Sequence, residues 1–538
     1  MKLDWRRLST PGYPVRVLAL FLLMAAALMS GLQQKGFWGA HGESRRAEVA
    51  RELVSHDRWL VPTLLDEPFI TKPPLAYWTM AASMRVFGIS ELAARVPAML
   101  SVLLALLLVA DAGRRLGGLE HGVRAASAFL ALPLVLGMGQ QAETEAQLLF
   151  WITLGLWAWL GLESRSGQWP RRMLLAVALC GGFMVKGPLI WIFLLPAFAV
   201  GEFWSTPRLS WRDFLLWVVF ALLLVLPWFL LVAQRVPGAL DVWLGESVAR
   251  VSDPDFSVHR EPFWYYLPNL VVFLPWLPLL AVAWPPGQRL RQQRTHAWRA
   301  LLPALLLPLL ILSLASSKRA HYLLGLAPVV ALLVADSGPW SLVAGWRRHG
   351  LWITRTVLVL VPLALMAVIV RLDGLQALPW AILLLSVALF AARTARLLPD
   401  GALVVALCYI LAGQTLLPTI DAYRNPGPFY LDAGQRVSAS SEPGLPVLNW
   451  KNDRYSASFQ LRRPVRPVAT EEALREAAPE GAWLLMQAKD APALPGSWQR
   501  IHAQEFQDPL LPGRQRTWWL VRWSPQSPDT TSSRNDDE

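Results

Sequence analysis

The sequence predicts an all-α polytopic membrane protein that ends in a small soluble α/β domain. Three observations support this prediction. The 538 residues are 54% hydrophobic and include 28 tryptophans, a more apolar composition than that of most soluble domains. Uncharged apolar runs of about 20 residues, the length that crosses a bilayer, recur along most of the chain. After about residue 420 the composition shifts towards serine, arginine, acidic residues and proline.

The apolar runs predict about 13 membrane spans. The basic N-terminal segment precedes the first run without a clear cleavage site, so we interpret that run as an anchor. Cys180 and Cys408 both lie within apolar segments, which favours packing over a disulfide or a metal site. The predicted spans lie near residues 15–33, 94–113, 121–139, 146–162, 172–185, 188–203, 213–233, 263–284, 300–315, 320–335, 352–370, 375–392 and 400–418.

The positive charge of the chain indicates an orientation rather than a nucleic-acid partner. The net charge is +12, and arginines collect in alternate connections between spans, as in cytoplasmic loops. This asymmetry predicts a multi-pass protein of the plasma (inner) membrane with the active site and C-terminal domain on the outer face. We predict a transmembrane domain over residues 1–420, with a first outer loop at 34–93. An outer soluble domain at 421–525 and a disordered tail at 526–538 follow. Strand-like runs occur at Pro446–Trp450, Ala482–Gln487 and Thr517–Trp523.

The first outer loop holds the longest polar interruption of the apolar part. Its apolar residues recur with helical spacing between about Ser44 and Ser55, which predicts an amphipathic helix lying on the bilayer. Further on, Lys72 precedes Pro73 and Pro74, and the two prolines restrain the backbone around the lysine. A surface helix followed by a restrained lysine suits work on a lipid-linked anionic substrate.

Ionisable side chains recur where predicted spans reach the outer face, and such groups usually mark a site or a pathway. Their shared side indicates one cavity in which cations bind a phosphate and an acid takes a proton from an attacking hydroxyl. The candidate catalytic residues are Glu43 and Glu145. The candidate substrate-binding residues are Arg45, Lys72, Lys186, Glu246, Arg250, His259, Tyr265, Lys318 and Tyr322. Each signal has a plainer alternative: Lys186 could be an interfacial lysine, and Tyr265 could belong to the aromatic belt.

Several motifs resemble one glycosyltransferase family. The run GESRRAEVAREL followed by TKPPLAYW, together with VKGP, HREPFWYYLPN and SSKRAHYLLGLAP, is similar to the aminoarabinose transferases of lipid A. These enzymes and the protein O-mannosyltransferases are GT-C glycosyltransferases. The resemblance covers residues from about 10 to 335. It implies a GT-C fold and transfer of a sugar from a polyprenyl-phosphate donor, on the outer face, to a lipid or glycan acceptor.

The chain departs from the family pattern at several positions. The family motif Asp-Glu-x-Arg-Tyr is here Gly42-Glu43-Ser44-Arg45-Arg46, so the first acid is absent and Glu43 remains as the candidate. The resemblance implies an acid in the second outer connection, which Glu145 matches best and Glu143 second. A glutamate and a histidine that can hold a metal in the family are replaced by Thr71 and Ser247. We therefore predict no zinc of that kind.

These observations favour an inverting glycosyltransferase that depends on a polyprenyl-phosphate sugar. The absence of a Walker or GxGxxG motif gives no support to a nucleotide cofactor, and no cofactor is predicted. One alternative is a lipid or polysaccharide flippase, which would need charges along a path through the membrane. Another is a non-catalytic envelope assembly protein, which would not need acids and lysines at separate span ends.

Overall fold

Helices make up most of the chain before a C-terminal mixed sheet. The computed structural model describes residues 12–38, 42–162, 169–204, 211–252, 261–282, 288–336, 347–394, 397–451, 455–509, 511 and 513–525. The helices are α1 (Tyr13–Met29), α2 (Glu43–His56), α3 (Leu75–Phe87), α4 (Glu91–Gly117), α5 (Leu119–Leu130), α6 (Pro133–Gly139), α7 (Thr144–Leu160), α8 (Trp169–Lys186), α9 (Leu189–Trp204), α10 (Trp211–Ala233), α11 (Ala239–Ser252), α12 (Tyr266–Asn269), α13 (Leu277–Val282), α14 (Gln288–Leu314), α15 (Ala327–Asp336), α16 (Arg347–Asp373), α17 (Leu378–Arg393), α18 (Leu397–Arg424), α19 (Gly427–Ser438), α20 (Ser456–Leu461) and α21 (Glu471–Ala477). The strands are β1 (Thr63–Leu64), β2 (Glu67–Pro68), β3 (Val447–Trp450), β4 (Arg466–Val468), β5 (Ala482–Gln487), β6 (Ser497–Gln507) and β7 (Gln515–Ser524).

The prediction of a helical membrane protein is confirmed, whereas the count of about 13 spans stays a prediction. Within the described residues, 4 helices are long and apolar enough to cross a membrane, or up to 5 if the bent pair α5 and α6 forms one span. The four are Glu91–Gly117, Leu215–Ala233, Arg348–Asp373 and Leu397–Arg424. Shorter apolar helices fall at other predicted spans: Tyr13–Met29, Leu189–Val200, Leu301–Leu314, Ala320–Ala335 and Leu378–Arg393.

Prolines account for two departures from the predicted continuous spans. The bend of 65° between α5 and α6 falls just before Pro133, whose ring disfavours a helical backbone at Leu132. The predicted span 263–284 is instead broken into α12, a 3-10 turn and α13. Leu274 is extended at that break because it precedes Pro275. The apolar run length predicted the location of these segments but not their interruption.

Helix α2, in the segment predicted as the first outer loop, is buried within the protein, so the prediction that it lies on the bilayer is wrong. The apolar stripe of α2 packs against α3 and against Phe459 of α20. Its polar face is buried as well, including Glu48, Arg51 and Glu52. An apolar stripe shows that a helix face leaves water, but it does not distinguish lipid from protein as the covering material.

The C-terminal sheet has the strand order β4-β3-β5-β7-β6. Strand β3 pairs in parallel with β4 and β5, while β7 pairs antiparallel with β5 and β6. Alternate residues of β5 enter two cores: Trp483 faces α19, and Leu484 faces the core that includes Leu474 of α21. The three strand-like runs predicted from the sequence match β3, β5 and β7, whereas the longest strand, β6, was missed.

The sheet unit packs on the segment predicted as the first outer loop. Phe37 and Phe459 meet edge to face with ring centroids 5.1 Å apart. Arg51 of α2 donates to the carbonyl oxygen of Arg462 at 3.4 Å, and Gln460 donates to Glu91 at the start of α4. The segment around α2 is therefore enclosed between the membrane helices and the C-terminal unit.

Candidate functional site

A buried carboxylate with two basic partners forms the centre of the candidate site. Glu145 lies in the first turn of α7, and its side chain is 6% exposed. Lys186 Nζ is 2.5 Å from Glu145 Oε1, and His321 Nε2 is 2.9 Å from the same oxygen. The ring centroid of Tyr322 lies 4.9 Å from Lys186 Nζ. Three predicted residues from separate connections, Glu145, Lys186 and Tyr322, are thus brought together.

Helix ends place the two main charges of this centre. Lys186 is the last residue of α8, where the partial negative charge of the helix C-terminus favours a cation. Gly187 ends the helix with φ +70°, and its N–H donates to the carbonyl of Phe183. Glu145 lies at the opposite, partly positive end of α7, which favours an anion. The ion pair therefore gains support from both helices.

A second buried pair joins α2 to the start of α7. Arg46 Nη1 is 2.6 Å from Glu143 Oε2, and these side chains are 7% and 15% exposed. Burial raises the pKa of Glu143 to about 7; Arg46 opposes this shift, and the neighbouring carboxylates Glu145 and Glu43 add to it. Glu143 is consequently an acid that changes its protonation state near neutral pH.

Glu43 braces the N-terminus of α2. It accepts hydrogen bonds from Arg95 Nε at 2.9 Å and from the Ala142 N–H at 2.8 Å, and Lys35 Nζ lies 4.0 Å away. Burial alone would raise the pKa of Glu43, but Arg95 and Lys35 together lower it below its usual value of 4.5. Glu43 is accordingly held as an anion that ties α2 to α4 and to the segment before α7.

The remaining described candidates lie in separate contacts. The Arg45 guanidinium stacks over the Phe69 ring at 5.9 Å, and Lys72 is half-buried ahead of the two prolines that lead into α3. Lys318 is 5% exposed and donates to the carbonyls of Glu261 and Ala315 at 2.7 and 2.6 Å. These bonds join the segment before α12 to the end of α14.

Of the last four candidate residues, only the side chain of Tyr265 lies in the described part of the structure. Tyr265 packs edge to face on Tyr266, with ring centroids 5.3 Å apart. Glu246 and Arg250 belong to α11, but their side chains lie outside the described part of the structure, as does that of Ser247. His259 also falls outside the described residues.

Sequence reasoning did not assign Lys35, Arg46 or Arg95 to the site. Arg95 is 0% exposed inside a strongly apolar helix, and a fully buried arginine needs an anionic partner. That requirement was the available signal for Arg95. The signal for Arg46 was weaker: this arginine stands where the family motif has tyrosine. Lys35, just after the first predicted span, resembled an ordinary interfacial lysine.

One group of possible metal ligands occurs among the described residues. The ligand atoms of Glu52, His56 and Asp66 lie within 4.8 Å of one another. However, Glu52 already accepts from Thr63 Oγ1 at 2.5 Å and from the Leu65 N–H at 2.7 Å, which braces the turn between β1 and β2. These bonds favour a structural role for Glu52. Thr71 is half-buried at the start of the KPP segment, and the expectation of no zinc at this loop stays a prediction.

A narrow pocket opens beside the central carboxylate. Its polar end is formed by Glu145, Lys186, His321 and Tyr322, and its wall is formed by apolar residues of α7, of α9 and of the 3-10 turn before α15. The apolar lining residues are Leu148, Leu149, Ile152, Phe193, Leu324 and Gly325. The cavity volume is about 10 Å³, which is room for about one water molecule between the charged end and the apolar wall.

Comparison of the whole fold identifies its class. The structure superimposes on ArnT from Cupriavidus metallidurans bound to undecaprenyl phosphate with a TM-score of 0.71 and 19% identity, over 94% of this chain and 98% of that one. The protein has the GT-C fold of ArnT. An oligosaccharyltransferase from Archaeoglobus fulgidus is more distant, at a TM-score of 0.52 and 13% identity over 89% of this chain and 70% of that one.

Sequence comparisons agree with this ArnT-like fold. The family profile of dolichyl-phosphate-mannose-protein mannosyltransferases matches residues 71–231. An undecaprenyl phosphate-alpha-4-amino-4-deoxy-L-arabinose arabinosyl transferase of Edwardsiella ictaluri is 33% identical over 63% of this chain and 61% of its own length. A second such enzyme, from Pseudomonas fluorescens, is 32% identical over 60% of this chain and 58% of its own length. The chain therefore spans about three fifths of these relatives, and the resemblance predicted from the motifs is confirmed.

Proposed function

We propose that this protein is a membrane glycosyltransferase that moves a sugar from a polyprenyl phosphate to a lipid acceptor. The proposal is supported most directly by the buried group of Glu145, Lys186 and His321. This group forms the polar end of a pocket whose wall is apolar. The names of the sequence relatives point to undecaprenyl phosphate as the carrier and 4-amino-4-deoxy-L-arabinose as the sugar. Lipid A is the acceptor that we infer for it.

The reaction would be a single displacement. An acceptor oxygen attacks the anomeric carbon as the bond from that carbon to the carrier phosphate breaks. The bonding electrons leave on the phosphate, and the configuration at the anomeric carbon inverts. An ammonium group has three donors, so Lys186 can bind the phosphate while it remains bonded to Glu145. Stabilisation of the charge that develops on the leaving phosphate is the main contribution expected from such a cation.

We further propose that the site faces the outer side of the inner membrane. Polyprenyl-phosphate sugars serve transfer where soluble nucleotide sugars are absent, and the arginine asymmetry of the sequence supports that side for the first loop and the sheet unit. A flippase would require charges distributed through the membrane. The described charges of this site instead gather where α2, α4, α7 and α8 meet.

Transfer by the purified, reconstituted full chain tests the proposal. The donor is undecaprenyl phosphate carrying 4-amino-4-deoxy-L-arabinose, the acceptor is lipid A, and mass spectrometry reports addition of one sugar. We expect Lys186→Met to lower the rate by about 10²-fold or more, because a phosphate-binding cation is removed. Lys489→Met is the matched control, since Lys489 is exposed in the C-terminal unit. Absence of product with the wild-type chain, or equal rates for both variants, would contradict the proposal.

A further inference from the structure

A large cavity lies in the C-terminal unit and shares no residue with the pocket beside Glu145. Its volume is about 630 Å³, whereas the pocket beside Glu145 measures about 10 Å³. One side of the cavity is a face of α19, and the other side is the end of α20 with the residues that follow it. Cavities of this size bind small molecules or parts of larger ones in many proteins.

The walls of this cavity are held by packing. A Cβ atom on Gly434 of α19 would lie 2.4 Å from Leu461 Cδ2, so the absence of a side chain at Gly434 lets α19 approach α20 closely. Both residues line the cavity. Phe459 of α20 packs against the core that includes α2. Helix α20 is therefore braced by α19 and by α2, and the cavity is a built feature of the fold.

The lining of the cavity combines a cation with uncharged polar groups. Arg463 is half-buried, and burial lowers the pKa of its guanidinium because no carboxylate among the described residues offsets the loss of solvent. The guanidinium nevertheless stays charged, and its planar set of donors suits a phosphate or a carboxylate. Gln435, Ser438 and Gln460 add amide and hydroxyl groups, which can hydrogen-bond to sugar hydroxyls. This lining suits an anionic saccharide.

Gln460 ties the cavity to the end of a candidate membrane span. Its Nε2 donates to Glu91, the first residue of α4, and α4 is long and apolar enough to cross a bilayer. At the end of α3, just ahead of α4, Val86 and Phe87 are 74% and 64% exposed. Exposed apolar side chains of this kind mark a surface that contacts lipid or another protein. Beside a span end, they indicate that the cavity lies at the level of lipid head groups.

We propose that this cavity binds the anionic, sugar-bearing head group of a membrane lipid, and that this lipid is the acceptor of the glycosyl transfer. The identity of the lipid as the acceptor rests on the proposed function. The cavity holds the lipid beside the protein and so raises its local concentration. It takes no part in bond breaking, so its contacts affect the KM for the acceptor and leave kcat unchanged.

The affinity of the detergent-solubilised full chain for lipid A, measured by calorimetry without donor, tests the cavity separately from transfer. We expect Arg463→Gln to weaken this binding by about 10-fold or more, because hydrogen bonds to a charged group are lost. Arg475→Gln is the matched control, since Arg475 is an exposed arginine of α21 that pairs with Glu471 outside the cavity. Affinity of Arg463→Gln for undecaprenyl phosphate should stay within about threefold, which shows that the variant is folded.

A bulky side chain tests the space inside the cavity. Ser438→Trp should fill part of it and weaken lipid A binding by about 10-fold or more. Ser441→Trp is the matched control, because Ser441 is an exposed serine three residues further on that does not line the cavity. In the transfer assay, Arg463→Gln should raise the KM for lipid A, while kcat and the KM for the donor stay within about threefold.

Three results would count against parts of this inference. Wild-type affinity for lipid A in both Arg463→Gln and Ser438→Trp overturns the assignment of the cavity. Glucosamine 6-phosphate, which is soluble, should bind the wild type more weakly than lipid A; equal affinity overturns the assignment to a lipid. Lipid A binding that depends on Arg463, without any transfer by the wild type, supports the cavity as a lipid site but overturns the proposed function and the acceptor role.

Discussion

At the scale of single residues, the three acids near the N-terminus of α2 differ because their neighbours differ. Glu43 contacts Arg95 and Lys35, Glu145 contacts Lys186 and His321, and Glu143 contacts Arg46. Burial acts on all of them and disfavours the charged form, so the number and closeness of cations decide which acid stays ionised. The ionisation of each acid is therefore set by its environment and not by its residue type.

The Lys186 and Glu145 pair should behave as a coupled unit. Removing the lysine alone leaves a buried carboxylate with less compensation, at a cost of roughly 3–5 kcal/mol, whereas removing both charges costs less. We expect Lys186→Met to lower the melting temperature in detergent more than the double variant Lys186→Met/Glu145→Gln. A double variant that is less stable than Lys186→Met would contradict this coupling.

Glu43 should stabilise the protein in a pH-dependent way. Its pKa in the folded state lies below its usual 4.5 because Arg95 and Lys35 outweigh burial. The stabilisation from its ionisation is therefore present above the usual pKa and lost as pH falls through the lowered one. We expect Glu43→Gln to reduce the melting temperature at pH 7, with a gap that narrows on acidification. Melting curves at both ends of this range measure the gap, and a constant gap would argue against an ionised Glu43.

At the scale of elements, the sequence predicted where helices and strands lie along the chain better than it predicted what packs against them. The apolar stripe placed α2 within one or two residues, and strand-like runs placed β3, β5 and β7. The stripe could not reveal that Phe459, far along the chain, covers part of α2. Likewise, the motif pattern placed Glu145 and Lys186 at span ends, but their contact with His321 depends on how three connections fold together.

The contact between α2 and α20 should depend on Phe459. This side chain is 3% exposed and packs on Phe37 and the α2 stripe, so its removal leaves a cavity that costs about 3–5 kcal/mol. We expect Phe459→Ala to make the link between α18 and the sheet unit more sensitive to limited proteolysis. Phe390→Ala, which removes a phenylalanine 42% exposed on α17, is the control and should leave the cleavage pattern unchanged.

At the scale of the whole molecule, the charge asymmetry makes a prediction about orientation. Cys180 and Cys408 are first replaced. Single cysteines are then introduced at Ser441, ahead of β3, and at Leu119, the first residue of α5, both exposed. We expect an impermeant thiol reagent to label the cysteine at 441 once the outer barrier is opened. The cysteine at 119 should react only after the inner membrane is breached. The reverse pattern would place the site on the cytoplasmic side and remove the main reason for a polyprenyl carrier.

The packing of the sheet unit on α2 joins two parts of the chain that are synthesised far apart in time. Arg51 and Arg462 meet across 411 residues of chain. At roughly 5–20 residues per second, a ribosome needs about 20–80 seconds to make the stretch between them. During that interval α20, which covers part of α2 in the folded protein, has not yet been synthesised. The charged side chains of α2 that become buried, and part of its apolar surface, therefore lack their final partner. The newly made loop is thus most exposed to proteases and chaperones of its compartment before the last fifth of the chain arrives.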